Sequence, residues 1–193
     1  AGHVADNRSK NTHIAGLDSM STTRLKINEH RSKVRIQLNN VIGELWCRYQ
    51  DHDKSKLEEP EFSIFDQHYA NLSKSEYGSP AYTEQLKLVG DAIDHHYNVS
   101  RHHPEHFPAG VNGMSLIDLI EMICDWMAAT SYGPNGNITK SVEFNTQRFG
   151  LDNQLVSILK NTASWLEECA AAARRRSAPD DQEGEHAEKI TNR

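Results

Sequence analysis

The sequence predicts an all-α protein folded as a single helical bundle. Apolar residues in its first half recur mostly three, four or seven positions apart, which is the spacing of one helix face. No stretch alternates strictly enough between apolar and polar residues to predict a strand. The chain has 193 residues, of which 37% are hydrophobic and 25% charged, enough for one globular domain with a substantial core.

The predicted helices follow from periodicity and from end signals. Pro60 suits a first helical turn, Gly150 suits the position just after a helix, and Asp152 suits an N-cap. The segment "GPNGN" at 133–137 is typical of a turn. Helical periodicity runs from Leu25 to Trp46, and further helices are expected at roughly 60–72, 81–98, 115–131, 138–148 and 152–173.

The two ends of the chain differ in composition from the middle. Residues 1–20 are polar and lack clear periodicity, so we expect a disordered or artificial leader, with Met20 as a candidate native start. Residues 175–193 are charged and nearly free of large apolar side chains, which predicts a disordered tail. The folded domain is therefore expected to span 21–174.

Composition excludes several functional classes. The net charge of −6 disfavours non-specific binding to nucleic acid. No apolar run approaches the roughly 18–20 residues of a membrane span, and no secretory signal is visible. Cys47, Cys124 and Cys169 are far apart and odd in number, and we interpret them as buried reduced thiols of a cytoplasmic protein.

Histidines are concentrated in "DAIDHHYNVSRHHPEHFPAG", residues 91–110. Five of the 11 histidines of the chain lie there, at positions 95, 96, 102, 103 and 106. Imidazoles combined with carboxylates and no cysteine predict a divalent metal such as Mn, Fe, Co, Ni, Mg or Zn rather than a thiolate-bound structural zinc. We expect one or two such ions with open coordination positions. A surface histidine cluster is the competing interpretation.

A second motif, "DHDKSK" at 51–56, places His52 beside Asp53 and puts Lys56 one helical turn later. His30 precedes His52 by 22 residues (52 − 30), and the weak helix formers Asn39, Asn40 and Gly43 lie between them. A chain reversal near 37–43 would bring His30 opposite His52. One unbroken helix would separate them by about 33 Å instead.

A third group lies on the apolar helix expected at 115–131. Asp118, Glu121 and Asp125 are spaced to share one helix face. Such a stripe is usually solvated, but this helix is otherwise very apolar, which predicts a central position. Buried carboxylates need partners, and a metal ion or the histidines would supply them.

The order His30, His52-Asp53 and Asp125 resembles the H…HD…D pattern of the HD superfamily of metal-dependent phosphohydrolases. "HDKSK" and "HHPEHFPAGVNG…ICDWMAATS" also resemble segments of its HD-GYP branch. That resemblance implies an HD-domain-like bundle, makes Asp125 the closing metal ligand, and makes His102 and His103 ligands of a second metal.

A more specific resemblance covers about residues 25–170. The segments "HDKSK", "HHY…RHHPEHF", "DLIEMICDW" and "RFG" are similar to those of a small family of uncharacterised phage and bacterial proteins. That family implies no activity. Spacing leaves open whether His95-His96 or His102-His103 is the second-site pair, and the metal ligands we predict are His30, His52, Asp53, His96, His103 and Asp125.

The resulting hypothesis is a phosphohydrolase acting on a nucleotide or related phosphate ester through metal-activated water. Lys56 is expected to neutralise charge on the phosphate, and Glu121 or Asp118 to act as general base or to orient a ligand histidine. The predicted substrate-binding residues are Arg101, Lys56, His95 and His102.

Two other functions fit the same residues. A non-catalytic, metal-stabilised binding module would use a closed site with no water position. A nuclease is disfavoured by the acidic charge and by the lack of a basic, aromatic-rich strip. No membrane partner is expected, the host is predicted to be a bacterial or phage-infected cell, and a homo-oligomer is left open.

Overall fold

A computed structural model describes residues 11–72, 74–75, 79–132 and 136–177. Within these ranges the chain forms seven α-helices and no strand, which confirms the all-α fold class. The helices are α1 (Asn11–Asp51), α2 (Glu61–Leu72), α3 (Pro80–Leu88), α4 (Gly90–Val99), α5 (Leu116–Ser131), α6 (Ile138–Phe149) and α7 (Asn153–Ser177). Three short 3-10 turns lie at Lys54–Leu57, Pro104–His106 and Gly110–Gly113.

Parts of the predicted ends and of the predicted 133–137 turn fall outside the described residues. These are residues 1–10, 133–135 and 178–193. Helix α1 begins at Asn11, within the stretch assigned to the leader. Among the helices that the structure describes, none is both long and apolar enough to cross a membrane.

Helix α1 is continuous through the expected break, so the predicted reversal near 37–43 is wrong. Asn39, Asn40 and Gly43 each cost only about 0.5–1 kcal/mol relative to alanine in a helix. Once a helix has nucleated, each added residue gains a backbone hydrogen bond, so three weak formers do not interrupt it. His30 therefore lies about 33 Å along the helix axis from His52.

The chain divides into two compact units, residues 1–54 and residues 55–193. The expected domain limits of 21–174 stay a prediction. The first unit consists mainly of α1, whose side chains from Thr22 onward are nearly all exposed. Its exposed large hydrophobic residues are Leu25, Ile27, Val34, Ile36, Leu38, Val41, Ile42, Trp46 and Tyr49.

The second unit contains the hydrophobic core, built where α5, α6 and α7 pack together. Met122, Ile123 and Val142 are essentially inaccessible to solvent, and Leu159 joins them from α7. Trp126 stacks against Phe149 with their ring centroids 6.3 Å apart. This core fixes α5, the helix that carries the acidic residues of the site.

The helix expected at 81–98 is two helices. Val89 adopts φ −108° and ψ 14°, outside helical values, and is fully buried at the junction of α3 and α4. Its N–H bonds to Leu86 O at 3.2 Å, which closes α3 with a 3-10 turn. Gly90, a weak helix former, starts α4 at once. Both α3 and α4 pack on α2, which places the His95-His96 pair beside α2.

The end signals around 150 are confirmed. Gly150 is left-handed, with φ 62° and ψ 41°, and closes α6. Asp152 Oδ1 accepts a hydrogen bond from Leu155 N at 2.8 Å and caps α7. The three cysteines are free but exposed, so their predicted burial is wrong.

Candidate metal centre

Three histidines meet in the second unit. His96 comes from α4, and His102 and His103 follow in the segment between α4 and the 3-10 turn at Pro104–His106. One ring nitrogen from each of the three lies within 4.8 Å of the others. We call His96, His102 and His103 the histidine cluster. Of the two pairs that the spacing left open, the cluster takes one residue of the first and both of the second.

The cluster is largely shielded from solvent. His96 is 2% exposed and His102 is 3% exposed. The Nε2 atoms of His96 and His103 are 3.1 Å apart, and the His102 and His103 ring centroids are 4.1 Å apart. Three uncharged imidazoles can meet this closely through hydrogen bonds or by sharing a cation.

A fully buried carboxylate stands behind the cluster. Glu61, the first residue of α2, is 0% exposed. Its Oε1 lies 2.7 Å from His95 Nδ1, and its Oε2 lies 3.1 Å from His96 Nδ1. The Ser55 and Ser100 hydroxyls also lie 3.0 and 3.2 Å from His96 Nδ1. His96 is therefore held on its Nδ1 side and directs Nε2 towards His103.

Sequence reasoning missed Glu61. An acidic residue after Pro60 looks like a favourable charge at a helix N-terminus, which is common without any functional role. Its partners lie 34 and 35 residues away in sequence, at His95 and His96. No local pattern connects them, because only the packing of α2 on α4 brings them together.

Helix α5 supplies a second carboxylate. Glu121 Oε1 lies 3.3 Å from His102 Nδ1, and the Glu121 side chain is 12% exposed. Glu121 thus lies beside His102, and its role in orienting a ligand histidine stays a prediction. Asp125, one turn further along α5, is half-buried, and the histidine cluster does not include it.

Asp118, predicted as a general base or orienting residue, and Arg101, predicted as a substrate-binding residue, pair with each other. Arg101 donates from Nε and Nη2 to the two Asp118 carboxylate oxygens, each at 3.1 Å. Asp118 is fully buried and also accepts from Ser115 N and Oγ in a capping box at the start of α5. This geometry indicates a structural tie between α5 and the segment after α4.

Lys56, the lysine predicted to act on the phosphate, follows directly after Ser55, which contacts His96. Lys56 is half-buried in the 3-10 turn Lys54–Leu57. Its neighbour Ser55 makes the contact with His96 Nδ1 described above. Lys56 is thus one residue away from a group that touches a cluster histidine.

The HD motif belongs to the first unit. His52 and Asp53 are half-buried at the end of α1, with His52 Nε2 3.8 Å from Asp53 Oδ2. Asp53 has φ 57°, a left-handed conformation that aspartate tolerates better than most residues. Both remain predicted ligands on the strength of the motif. His30 does not reach them, because it lies about 33 Å back along the unbroken α1.

Tyr97 lies against the histidine cluster and is itself contacted by Arg148, which forms an ion pair with Glu105. The Tyr97 and His103 ring centroids are 4.7 Å apart. Arg148 donates to Tyr97 Oη at 3.1 Å and to Glu105 Oε1 at 2.6 Å. Arg148, in the "RFG" segment, therefore holds the Tyr97 ring in contact with His103.

The donor set fits a divalent ion. At a tetrahedral ion with Zn–N bonds of about 2.0–2.1 Å, two ligand nitrogens lie about 3.3 Å apart, close to the 3.1 Å between His96 Nε2 and His103 Nε2. Carboxylates behind His96 and His102 match the usual outer-shell partners of metal-bound histidines. Three imidazoles suit zinc, cobalt, nickel, iron or copper better than magnesium.

Cys124 does not add a thiolate to this set. It lies between Glu121 and Asp125 on α5 and keeps solvent contact. Partial burial raises the pKa of its thiol, and the negative charges of Glu121 and Asp125 raise it further. The thiol therefore stays neutral near pH 7, and the nearby donors are imidazole and carboxylate.

Comparison with known proteins gives one match. The model of a family described as a family of unknown function (DUF5662) matches residues 19–172. Neither a curated protein nor a solved structure matches the chain. The match covers the histidine cluster, Glu61, the HD motif and all of α2 to α6.

Proposed function

The chain belongs to DUF5662, a family of unknown function, so its activity has to be inferred from its site, and we propose that it is a metal-dependent hydrolase of phosphate esters. The expected substrates are nucleotides or related compounds. The proposal combines the HD-superfamily resemblance of "HDKSK" with the histidine cluster.

The observation that carries the proposal is the histidine cluster with its two carboxylates. His96, His102 and His103 would hold a divalent ion through three imidazoles, the number of protein ligands that catalytic zinc sites use. A divalent ion held there would supply an activated water and polarise a phosphoryl oxygen. His52 and Asp53 are separate predicted ligands of a divalent ion, on the strength of the HD motif.

The side chains of this protein then have distinct tasks. Glu121 orients His102 through the 3.3 Å contact. Lys56, a compact flexible cation, neutralises the charge that develops on the phosphate. Arg101 is proposed as a structural residue rather than a phosphate clamp, because both Asp118 oxygens occupy its guanidinium.

The deciding experiment is a hydrolysis assay on protein loaded in turn with manganese, iron, cobalt, nickel and zinc. Nucleoside mono-, di- and triphosphates and cyclic dinucleotides form the panel, and release of phosphate or nucleoside is measured. We expect metal-dependent turnover with at least one member of the panel. His103→Ala should abolish it.

The matched control is His95→Ala, which removes another histidine of the same segment that contacts Glu61 but lies outside the histidine cluster. It should keep a bound metal ion. A wild-type protein that binds metal tightly but releases no product from any compound would contradict the hydrolase and favour the metal-stabilised binding module.

A further inference from the structure

Glu61 is a carboxylate that neither the HD resemblance nor the sequence analysis assigns. It is 0% exposed and begins α2. An ionised carboxylate buried in protein is costly unless donors surround it. The contacts described for it are two ring nitrogens, His95 Nδ1 at 2.7 Å and His96 Nδ1 at 3.1 Å.

Those two contacts fix where the ring protons lie. A carboxylate oxygen only accepts hydrogen bonds, so an unprotonated Nδ1 at either distance would set two acceptors against each other. Each Nδ1 must therefore carry its proton and donate it to Glu61. The Ser55 and Ser100 hydroxyls near His96 Nδ1 can adapt to either tautomer, whereas the carboxylate cannot.

For His96 this arrangement selects the ligand atom. With the proton on Nδ1, the neutral ring has its lone pair on Nε2, the nitrogen 3.1 Å from His103 Nε2. A metal-bound imidazole is usually oriented and made more basic by such an outer carboxylate. Glu61 does this from a different helix, so the packing of α2 on α4 defines the ring's position.

We propose that Glu61 is a positioning residue of the metal centre, which holds His96 in the tautomer that presents Nε2 to a divalent ion. This inference rests on the histidine cluster being the metal site of the proposed function. It does not depend on the reaction catalysed. The competing role for Glu61 is a purely structural staple between α2 and α4.

The test uses Glu61→Gln in the full chain. The amide has one acceptor oxygen and one donor nitrogen, so it cannot accept from both Nδ1 atoms, and one histidine must change tautomer or turn away. Zinc affinity is measured by competition with a chromophoric chelator. Glu143→Gln is the matched control, because it removes one negative charge from an exposed ion pair with Lys160.

We expect Glu61→Gln to weaken zinc binding about 10- to 100-fold and Glu143→Gln to leave it unchanged. Proton–nitrogen correlation spectra of the histidine rings in the metal-free proteins give an independent measurement. They should show His96 protonated on Nδ1 in the wild type and a changed tautomer for His95 or His96 in Glu61→Gln.

Glu61→Asp covers the case in which the amide variant does not fold. It keeps the buried charge but draws the carboxylate back from α4, and it should also weaken zinc binding. Wild-type affinity in a folded Glu61 variant would overturn the positioning role and leave the metal site standing. A wild type that binds none of the tested metals would overturn both proposals.

Discussion

At the scale of single residues, burial of carboxylates organises the site. Glu61 and Asp118 are both 0% exposed, yet their partners differ in kind. Asp118 faces the guanidinium of Arg101 and the backbone N–H of Ser115, which can only donate. Glu61 faces two imidazoles, whose protons can lie on either nitrogen. A carboxylate buried against imidazoles can select which ring nitrogen carries the proton, whereas one buried against a guanidinium cannot, because arginine stays protonated.

The HD motif makes a residue-level prediction about metal binding. His52→Ala or Asp53→Ala should lower metal content at least tenfold, because each removes a predicted ligand. The fold should survive, because the hydrophobic core lies in α5, α6 and α7. Elemental analysis after reconstitution with manganese, iron, cobalt, nickel or zinc measures the effect.

His30→Ala is the control for that prediction. It removes the histidine that the continuous α1 places about 33 Å from His52, so its metal content should match the wild type. Equal loss of metal from the His30 and His52 variants would contradict the geometry of α1. Full metal content in the His52 and Asp53 variants would exclude the HD motif from metal binding.

Lys56 carries a residue-level prediction about catalysis. On an established phosphate ester substrate, Lys56→Ala should keep the fold and the metal but cut turnover about tenfold to a thousandfold, since transition-state charge is then less well neutralised. Lys54→Ala is the matched control, because Lys54 is an exposed lysine of the same 3-10 turn, ion-paired with Asp51 at 3.5 Å. Unchanged turnover in Lys56→Ala would exclude Lys56 from the mechanism.

At the scale of secondary-structure elements, the ends of helices place the site. Helix α4 stops at Ser100, which adopts an extended conformation, so the next two histidines turn back beside His96. Helix α5 starts at a capping box anchored by Arg101, which immediately precedes His102. The Arg101–Asp118 pair thus couples the start of α5 to the histidine-bearing segment.

That coupling predicts a specific loss of stability. Asp118→Asn should lower the free energy of unfolding by about 2 kcal/mol, because a buried pair loses its charge while the donors of Arg101 remain. Because about half of the Arg101 side chain is exposed, this loss in the free energy of unfolding is smaller than for a fully buried ion pair. Urea denaturation measures it. Glu143→Gln should change stability by less than about 0.5 kcal/mol, and an equally small effect of Asp118→Asn would refute the structural role.

At the scale of the whole molecule, the second unit joins two packing systems. The hydrophobic core lies among α5, α6 and α7, while α3 and α4 both pack on α2. Histidine-cluster contacts reach from α2 and α4 to α5 through Glu61, His96, His102 and Glu121. A metal ion bound there would link elements from both systems.

The expected consequence is stabilisation by metal. Free zinc at 100 times its dissociation constant should raise the free energy of unfolding by about 2.7 kcal/mol, because the ion binds the folded state. Differential scanning fluorimetry with and without zinc measures the shift in Tm. His103→Ala should show a much smaller shift, whereas an equal shift in that variant would indicate that zinc binds elsewhere.

Local sequence patterns determined most of the secondary structure. Helices α2, α5, α6 and α7 begin and end close to the predicted residues, because Pro60, Gly150 and Asp152 act through their immediate neighbours. Periodicity did not predict the junction at Val89, where the chain turns although a buried valine continues the apolar pattern. The weak helix formers at 37–43 led to a wrong prediction of a chain reversal, because their summed free-energy cost is small for a long helix.

The sequence by itself also determined which ligand types the candidate site offers, because five histidines with separated carboxylates limit which metal ions would fit. Only the tertiary structure decided which residues meet. Glu61 reaches histidines 34 and 35 positions away, and Arg101 reaches Asp118 17 positions away. Such contacts depend on how helices pack, and packing responds to the whole apolar surface rather than to any local motif.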